Sequence, residues 1–187
     1  MGNDTLKKYR IITVSGKIAV GTTTLSKNLA YVLNWKHVNF GALQRDFDRK
    51  NNINENQQGA TARSDDHERE IEALGETMLQ KDKDLIYEAW LSGFLARNYR
   101  DVFKVLLVCS NDAIRIDRVA NRENIAISDA KLWMKQREIE NEKKWKKLYG
   151  DHNFWDEKNF NLVVDTYKKG PMETLGKVLD RLNYKHR

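Results

Sequence analysis

Residues 10–25 read RIITVSGKIAVGTTTL, and this stretch decides the fold of the chain. Its first part, residues 11–14, has the apolar character of a buried β-strand. Gly16 and Gly21 then bound a short loop, and from Thr22 onward apolar residues recur at helical spacing. A strand, a glycine loop and a helix in this order predict a cradle for phosphate groups. The loop amides and the positive end of the helix dipole converge there on one place.

The usual phosphate loop reads G-x-x-x-x-G-K-[ST]. Gly16, Gly21 and Thr23 fit this pattern, with Thr23 at the magnesium-ligand position, whereas Thr22 stands in place of the lysine. The alternative interpretation is a tight turn into a helix that Thr22 caps. If the loop binds phosphate, the residues that face the donor nucleotide form one run: Gly16, Lys17, Ile18, Ala19, Val20, Gly21, Thr22, Thr23 and Thr24.

The composition limits the class of protein. The 187 residues carry a formal net charge of +6, which favours anionic partners without choosing between nucleotides, nucleic acid and membrane surfaces. This length suits a single domain over residues 1–187. No apolar run reaches the length of a membrane span, and the single cysteine, Cys109, excludes an intrachain disulfide. A single cysteine makes a reducing, cytoplasmic setting the default. We further expect a monomer without a membrane partner.

Strand and helix patterns alternate along the rest of the chain. Four further apolar segments predict strands: residues 36–40, 83–90, 102–109 and 161–166. With residues 11–14 they predict an α/β fold, a doubly wound parallel sheet of about five strands flanked by helices. The first turn of such a sheet lies at the ligand crevice. The polar residues 51–64 predict a mobile loop.

Two side chains are candidates for contacts to phosphate and metal. Arg45 follows Gly41 by four residues, so a guanidinium on a first helical turn lies beside a glycine that permits close approach of a phosphate. A solvated arginine is the alternative. Glu88 ends a predicted core strand, where a carboxylate facing the loop can hold magnesium directly or through water. The alternative is a core strand that merely ends at the surface.

A long charged stretch follows the predicted strand at residues 102–109. Residues 128–149 predict one helix or a helix pair, and Arg118 and Arg122 share a face of the helix before it. Arg137 and Lys144 are seven residues apart, so two helical turns put them on one side, where they can belong to a mobile lid that brings cations onto transferring phosphates. A solvated charged helix is the alternative.

Taken together, these residues resemble the cytidylate kinase family, most closely its short archaeal type. The family's loop S-G-x-x-G-x-G-T-T-T is similar to residues 15–24, its A-G-x-x-x-R segment to residues 40–45, and its E-G-R-L-A-G strand end to residues 88–93. Its lid pattern, R-x-x-x-R-E followed by a second R-E pair and Y-G, is largely matched in residues 118–150, and its D-L-V-I-D-T in residues 161–166. Five motifs in the family's order make the resemblance fairly specific.

The resemblance implies a P-loop nucleoside monophosphate kinase that uses ATP and Mg²⁺ and phosphorylates CMP or dCMP first among candidates. It implies an acceptor-binding region at about residues 40–82, a lid at about residues 118–151, and small nucleotides rather than a specific nucleic acid as partners. The implied metal-binding residues are Thr23 and Glu88. The implied acceptor-binding residues are Gly41, Arg45, Trp90 and Gly93, and the implied catalytic residues are Lys17, Arg118, Arg122 and Arg137.

The chain also departs from the family pattern. Ala19 replaces a loop glycine, Trp90 replaces an arginine that meets the acceptor nucleotide, and Lys144 replaces a lid arginine. Because the loop lacks its usual lysine, we expect Lys17 or a lid arginine to substitute for it. The departures leave two alternatives open, a nucleotide-binding protein without kinase activity and a P-loop kinase for another small acceptor. A nucleic-acid binder is disfavoured, because the lysines are interleaved with glutamates.

Overall fold

The computed structural model describes residues 4–54 and 62–185, so the predicted loop at 51–64 lies partly outside the described residues. One sheet of five strands forms the centre, in the spatial order β2-β3-β1-β4-β5, and every pairing is parallel. This confirms the predicted doubly wound parallel sheet. The strands are β1 (Ile11–Ser15), β2 (Lys36–Asn39), β3 (Leu85–Glu88), β4 (Val102–Val108) and β5 (Leu162–Asp165).

Helices connect the strands and cover both faces of the sheet. Residues 127–149 form one unbroken helix rather than a pair, in keeping with the absence of glycine and proline from this stretch. No described helix is long and apolar enough to cross a membrane. The helices are α1 (Asp4–Lys7), α2 (Thr22–Leu33), α3 (Phe40–Lys50), α4 (Asp65–Lys81), α5 (Ser92–Leu95), α6 (Asp112–Glu123), α7 (Ile127–Tyr149) and α8 (Pro171–Arg181).

Short polar side chains set where several helices begin. The Asn39 side chain accepts a hydrogen bond from the amide of Ala42 at 2.9 Å, and so α3 starts at Phe40. Phe40 was predicted as the last residue of a strand, and this cap is why it is helical instead. Ser64 caps α4 and Asn111 caps α6 in the same way.

The sheet is buried on both faces, as the continuous apolar runs predict. On one face, Ile12 and Val14 pack with Leu25 and Leu29 of α2 in a single cluster. On the other, Ile11 joins a cluster that contains Leu79 of α4 and Phe40. Burying each such side chain stabilises the fold by roughly 1.5–3 kcal/mol, so β1 is fixed firmly between its neighbours.

The register of the sheet brings three strand ends together. Val14 lies opposite Glu88, and Asn39 lies opposite Glu88 from the other side. Because the three strands are parallel, their carboxyl ends meet at one edge, next to the loop that follows β1. This edge is where a ligand site is expected in an open α/β sheet.

Candidate active site

A cleft of about 730 Å³ opens at this edge of the sheet. Six of its lining side chains are cationic and three are carboxylates, so the cleft is suited to an anionic ligand. The cations are Lys17, Arg45, Arg49, Arg118, Arg122 and Arg137, and the carboxylates are Asp48, Glu88 and Glu123. The cleft therefore brings together nearly all of the residues that the sequence singled out.

Glu88 is the polar centre of the cleft floor and is only 4% exposed. Its Oε1 accepts hydrogen bonds from Thr23 Oγ1 at 2.5 Å and Thr22 Oγ1 at 3.1 Å. Its Oε2 accepts one from Asn39 Nδ2 and lies beside His37 Nε2, both at 2.8 Å. The strand thus does not merely end at the surface, because its last carboxylate is held by side chains from α2 and β2.

The loop after β1 has the backbone that a phosphate site requires. A Cβ at Gly16 would lie 2.5 Å from a Val20 methyl and 2.6 Å from the Leu107 carbonyl, so no side chain fits there. Gly21 has φ +96° and precedes α2, whose N-terminus has no side-chain cap. The interpretation of Thr22 as the cap is wrong, since its hydroxyl donates to Glu88. The first amides of α2 are left for an anion.

Ala19 adopts the left-handed backbone region, with φ 60°. A residue with a Cβ pays roughly 1–2 kcal/mol for this conformation, which a glycine adopts freely. The loop therefore has, at Ala19, a backbone conformation that glycine adopts more easily than alanine.

Lys17, the predicted substitute for the loop lysine, lies at the mouth of the cleft. Its Nζ is 3.4 Å from Glu142 of α7 and 4.9 Å from the centre of the Trp155 ring. The lysine is thus held between the phosphate loop and the predicted lid, where its ammonium group is partly exposed. A catalytic role for it stays a prediction.

Arg45 lies in the cleft on the first turns of α3. A Cβ at Gly41 would be 3.3 Å from Arg45 Nη1, which shows the close approach that the sequence suggested. Within residues 4–54 and 62–185, no carboxylate lies within ion-pair distance of Arg45. A half-buried guanidinium with no carboxylate partner in this cleft is available to an anionic ligand.

Trp90 lies between the cleft and a second, adjoining cavity of about 80 Å³, and it lines both. Its ring packs against Trp145 with the centres 5.3 Å apart, and the Arg137 guanidinium lies 5.9 Å from its centre. The predicted acceptor-binding residue Trp90 thus lies between the two cavities. Gly93 does not line either one, since its amide donates to Ser15 Oγ and its Cα faces the Phe160 ring.

The second cavity has an aromatic wall and two carboxylates. Glu68 accepts from Gln44 Nε2 at 3.3 Å, and Glu72 lies beside Tyr149. Burial raises the pKa of the Tyr149 hydroxyl, and the two carboxylates raise it further, so this tyrosine stays protonated. Because Arg63 and Arg137 also line this aromatic cavity, it suits a flat ligand with hydrogen-bonding groups at its edge.

The predicted lid arginines occupy different environments. Arg118 donates to the carbonyls of Ala19 and Thr166 and to the Thr166 hydroxyl. Arg122 is half exposed and pairs with its neighbour Glu123 at 2.7 Å. Both arginines and Arg137 line the cleft, and their roles in phosphoryl transfer stay predictions.

A chain of buried ion pairs beside the second cavity was not predicted. Arg63 Nε and Nη2 donate to the two oxygens of Asp48 at 2.8 and 2.6 Å, and both side chains are almost fully buried. Lys144 Nζ donates to the Arg63 carbonyl and to Asp65 at 2.5 Å. With Lys147, it lowers the pKa of Asp65 to about 2. Lys144 thus ties α7 to the start of α4 and does not line the cleft.

Arg115 was also missed as a site residue, because a third arginine on a charged helix has no distinguishing spacing. It is 5% exposed and donates to the carbonyl of Ile18 in the phosphate loop at 2.9 Å. Only the tertiary structure brings these two residues together.

Residues 11–168 match the family model described as the cytidylate kinase-like family. A cytidylate kinase from Thermococcus sibiricus is 32% identical over 167 residues, which are 88% of this chain and 83% of that protein. One from Pyrococcus abyssi is 34% identical over 171 residues, covering 86% of this chain and 87% of the relative. Among solved structures, a gluconokinase from Sinorhizobium meliloti superposes with a TM-score of 0.59 at 15% identity, over 92% of this chain and 91% of that one. That likeness supports the P-loop kinase fold.

Proposed function

The chain belongs to the cytidylate kinase-like family, and we propose that it transfers the γ-phosphoryl group of ATP to CMP or dCMP. The products are ADP and the cytidine diphosphate. The observation that carries this proposal is a pair of adjoining cavities that share Trp90 and Arg137. One has an uncapped helix N-terminus and six cations, and the other is aromatic and contains carboxylates.

The donor phosphates are assigned to the loop before α2. The amides of its first turn and the positive end of its dipole favour an anion there. Thr23 and Glu88 offer the hard oxygen donors that Mg²⁺ prefers, and they lie next to this helix terminus. Among the described residues no group of three or more His, Cys, Asp or Glu side chains could hold a metal. This fits an ion that takes most of its ligands from phosphate and water. When bound, it would neutralise charge on the donor phosphates.

The acceptor is assigned to the other end of the cleft. Arg45 is placed to hold its phosphate with a bidentate pair of hydrogen bonds. Its base would enter the second cavity, next to Trp90 and Tyr149. Glu68 already pairs with Arg63 and Gln44, so we assign the exocyclic amino group of cytosine to Glu72, a carboxylate that the carbonyl oxygen of uracil would face unfavourably. The cavity therefore favours cytosine over uracil.

Transfer between the two ends requires positioning and charge neutralisation. A phosphate oxygen of the acceptor attacks the γ-phosphorus, a new P–O bond forms, and the bond from the γ-phosphorus to the β-γ bridging oxygen breaks. The cations that we assign to the transferring group are Lys17, Arg118, Arg122 and Arg137. Because the loop lacks its lysine, these side chains have to provide the charge that the lysine supplies elsewhere.

The test is ADP release from ATP and magnesium with a panel of ribonucleoside and deoxyribonucleoside monophosphates and a control without acceptor. We expect release that depends on CMP or dCMP, with UMP at least tenfold poorer in kcat/KM. ADP release that depends on a different monophosphate would support the kinase activity but contradict the assignment of the second cavity to cytosine. No release with any of them, from folded protein that binds ATP, would reject the nucleotide kinase and favour a binding protein or another acceptor.

A further inference from the structure

Three consecutive carbonyls of the phosphate loop each accept a hydrogen bond from a side chain elsewhere in the fold. The contacts are Arg115 Nε to Ile18 O at 2.9 Å, Arg118 Nη1 to Ala19 O at 3.0 Å and Thr166 Oγ1 to Val20 O at 3.0 Å. A trans peptide unit is planar, so its amide points away from its carbonyl. Fixing these carbonyls therefore turns the amides of the three following residues to the opposite side of the loop.

Arg115 differs from the other two donors, because it also reaches the predicted lid. Its Nη2 donates to Glu138 of α7, and its Nη1 donates to Asp112 at 2.8 Å. Its side chain is almost fully buried, whereas Glu138 is 18% exposed and Asp112 is 75% exposed. One buried guanidinium thus joins the phosphate loop, α6 and α7.

Apolar packing follows the same route. Ile18 of the loop is buried in a cluster with Val119 of α6 and with Ala130 and Met134 of α7. The polar and apolar contacts together hold the loop and α7 in one relative position. Glu138 is adjacent to Arg137, which lines the cleft, so the position of Arg137 is fixed relative to the loop by the same contacts.

We propose that Arg115 is a positioning residue for phosphoryl transfer, which holds the phosphate loop and Arg137 in register through Ile18 and Glu138. This inference rests on the proposed kinase function. Arg115 does not line the cleft and would not touch substrate. The role requires a guanidinium, because three donors in a fixed planar fork meet three separate acceptors, whereas the ammonium of a lysine is a single point charge.

The test compares Arg115→Lys and Glu138→Gln with Asp112→Asn as the matched control. The control removes the third partner of the same guanidinium, which is exposed and not part of the link between loop and lid. For each folded variant, ATP binding is measured by calorimetry and kcat and KM are measured with CMP. We expect Arg115→Lys and Glu138→Gln to lower kcat by at least about tenfold, because a misplacement near 1 Å can cost about 10² in rate. ATP affinity should fall severalfold, and Asp112→Asn should stay within about twofold of the wild type.

The double variant separates positioning from general stability. If Arg115 and Glu138 act as one link, Arg115→Lys with Glu138→Gln should lose little more kcat than the worse single variant. The proposal is overturned if the double variant loses kcat by the product of the two single losses. It is also overturned if kcat in each variant only follows the fraction of folded protein at the assay temperature. Wild-type ATP affinity and kcat in both single variants would overturn it as well. If the wild type phosphorylates no monophosphate, weaker ATP binding by the two variants, with Asp112→Asn unchanged, would support the positioning role while the kinase proposal fails.

Discussion

The two ends of the cleft are built in different ways. The end that we assign to the donor, the donor end, is a stretch of backbone between β1 and α2, with its carbonyls fixed by Arg115, Arg118 and Thr166. The end that we assign to the acceptor, the acceptor end, is built mainly from side chains on α3, α4 and α7, and Arg63, just before α4, connects Asp48 of α3 with Glu68 of α4. The donor end is therefore continuous in sequence, and the acceptor end is assembled from distant segments.

This difference explains where the chain has changed relative to the family pattern. At the donor end, Ala19 replaces a glycine, yet the backbone keeps the left-handed conformation. At the acceptor end, Trp90 stands where the pattern has an arginine, and it packs against Trp145. In the predicted lid helix, Lys144 stands in place of an arginine and binds Asp65. A backbone site tolerates a changed side chain while the backbone conformation is retained, whereas a side-chain site changes its chemistry. The following variants test this contrast, from the largest expected effect to the smallest.

Arg45→Met tests the acceptor end. Because Arg45 has no carboxylate partner among the described residues, the variant should lose contacts to the acceptor without breaking an ion pair. We expect kcat/KM for CMP to fall by about 10²–10³, with ATP affinity unchanged. Steady-state kinetics at varied CMP measures this, with the exposed Lys50→Met on the same helix as the control. Equal losses in both variants would mean that Arg45 acts only through overall charge.

Lys17→Ala tests whether the donor end depends on a side chain after all. If Lys17 replaces the missing loop lysine, kcat should fall by about 10². The lost contact to Glu142 is partly exposed and contributes little to stability, so the variant should fold normally. Turnover measured at saturating ATP and CMP decides the question, against Lys27→Ala on the exposed face of α2. Unchanged turnover would remove Lys17 from the mechanism.

Asp65→Asn tests the ion pairs behind the acceptor end. Lys144 and Lys147 lower the pKa of Asp65 from 3.8 to about 2, so the carboxylate stabilises the fold above about pH 4. That stabilisation is lost as the pH falls from about 4 towards 2. The variant should therefore be less stable near neutral pH and show a shallower loss of unfolding free energy on acidification. Urea unfolding between pH 2 and 7 measures both, and the neighbouring, highly exposed Asp66→Asn is the control. If the unfolding free energy of Asp65→Asn falls with decreasing pH as steeply as that of the wild type, the lowered pKa of Asp65 is contradicted.

Ala19→Gly tests whether the donor end stores backbone strain. Glycine adopts φ 60° without the cost that a Cβ imposes, although it gains freedom in the unfolded chain. We expect the free energy of unfolding to rise by about 1 kcal/mol, measured by urea denaturation. The same substitution at the exposed helical residue Ala73 should lower it by about 1 kcal/mol. A loss at both positions would show that Ala19 is not strained.

Much of the donor end could be predicted because its geometry is local. Two glycines and the run of threonines fall within ten residues, between a strand and a helix with clear apolar patterns. The sheet was predictable for the same reason, since hydrophobic periodicity reports burial directly. Phe40 was predicted as the end of a strand but is the first residue of α3. The sequence pattern missed this, because a single capping hydrogen bond from the amide of Ala42 to Asn39 decides it.

The acceptor end was less predictable. The sequence pattern indicated that Lys144 takes the place of a lid arginine near the phosphates. The structure shows it bound instead to Asp65, 79 residues away in sequence. The buried pair of Arg63 with Asp48 gives no periodic signal, because a charged residue in a polar segment is normally exposed.

The sequence by itself determined the order of strands and helices, the phosphate loop and the family, because these depend on local backbone preferences and on the spacing of apolar residues. The tertiary structure decided which charges face the cleft and which hold it together. Arg45 faces the cleft and has no carboxylate partner among residues 4–54 and 62–185, whereas Arg115 and Lys144 are buried in contacts between distant helices and loops. The physical reason is that the role of a charged side chain is set by its burial and its partners, and both are created only when distant segments pack together.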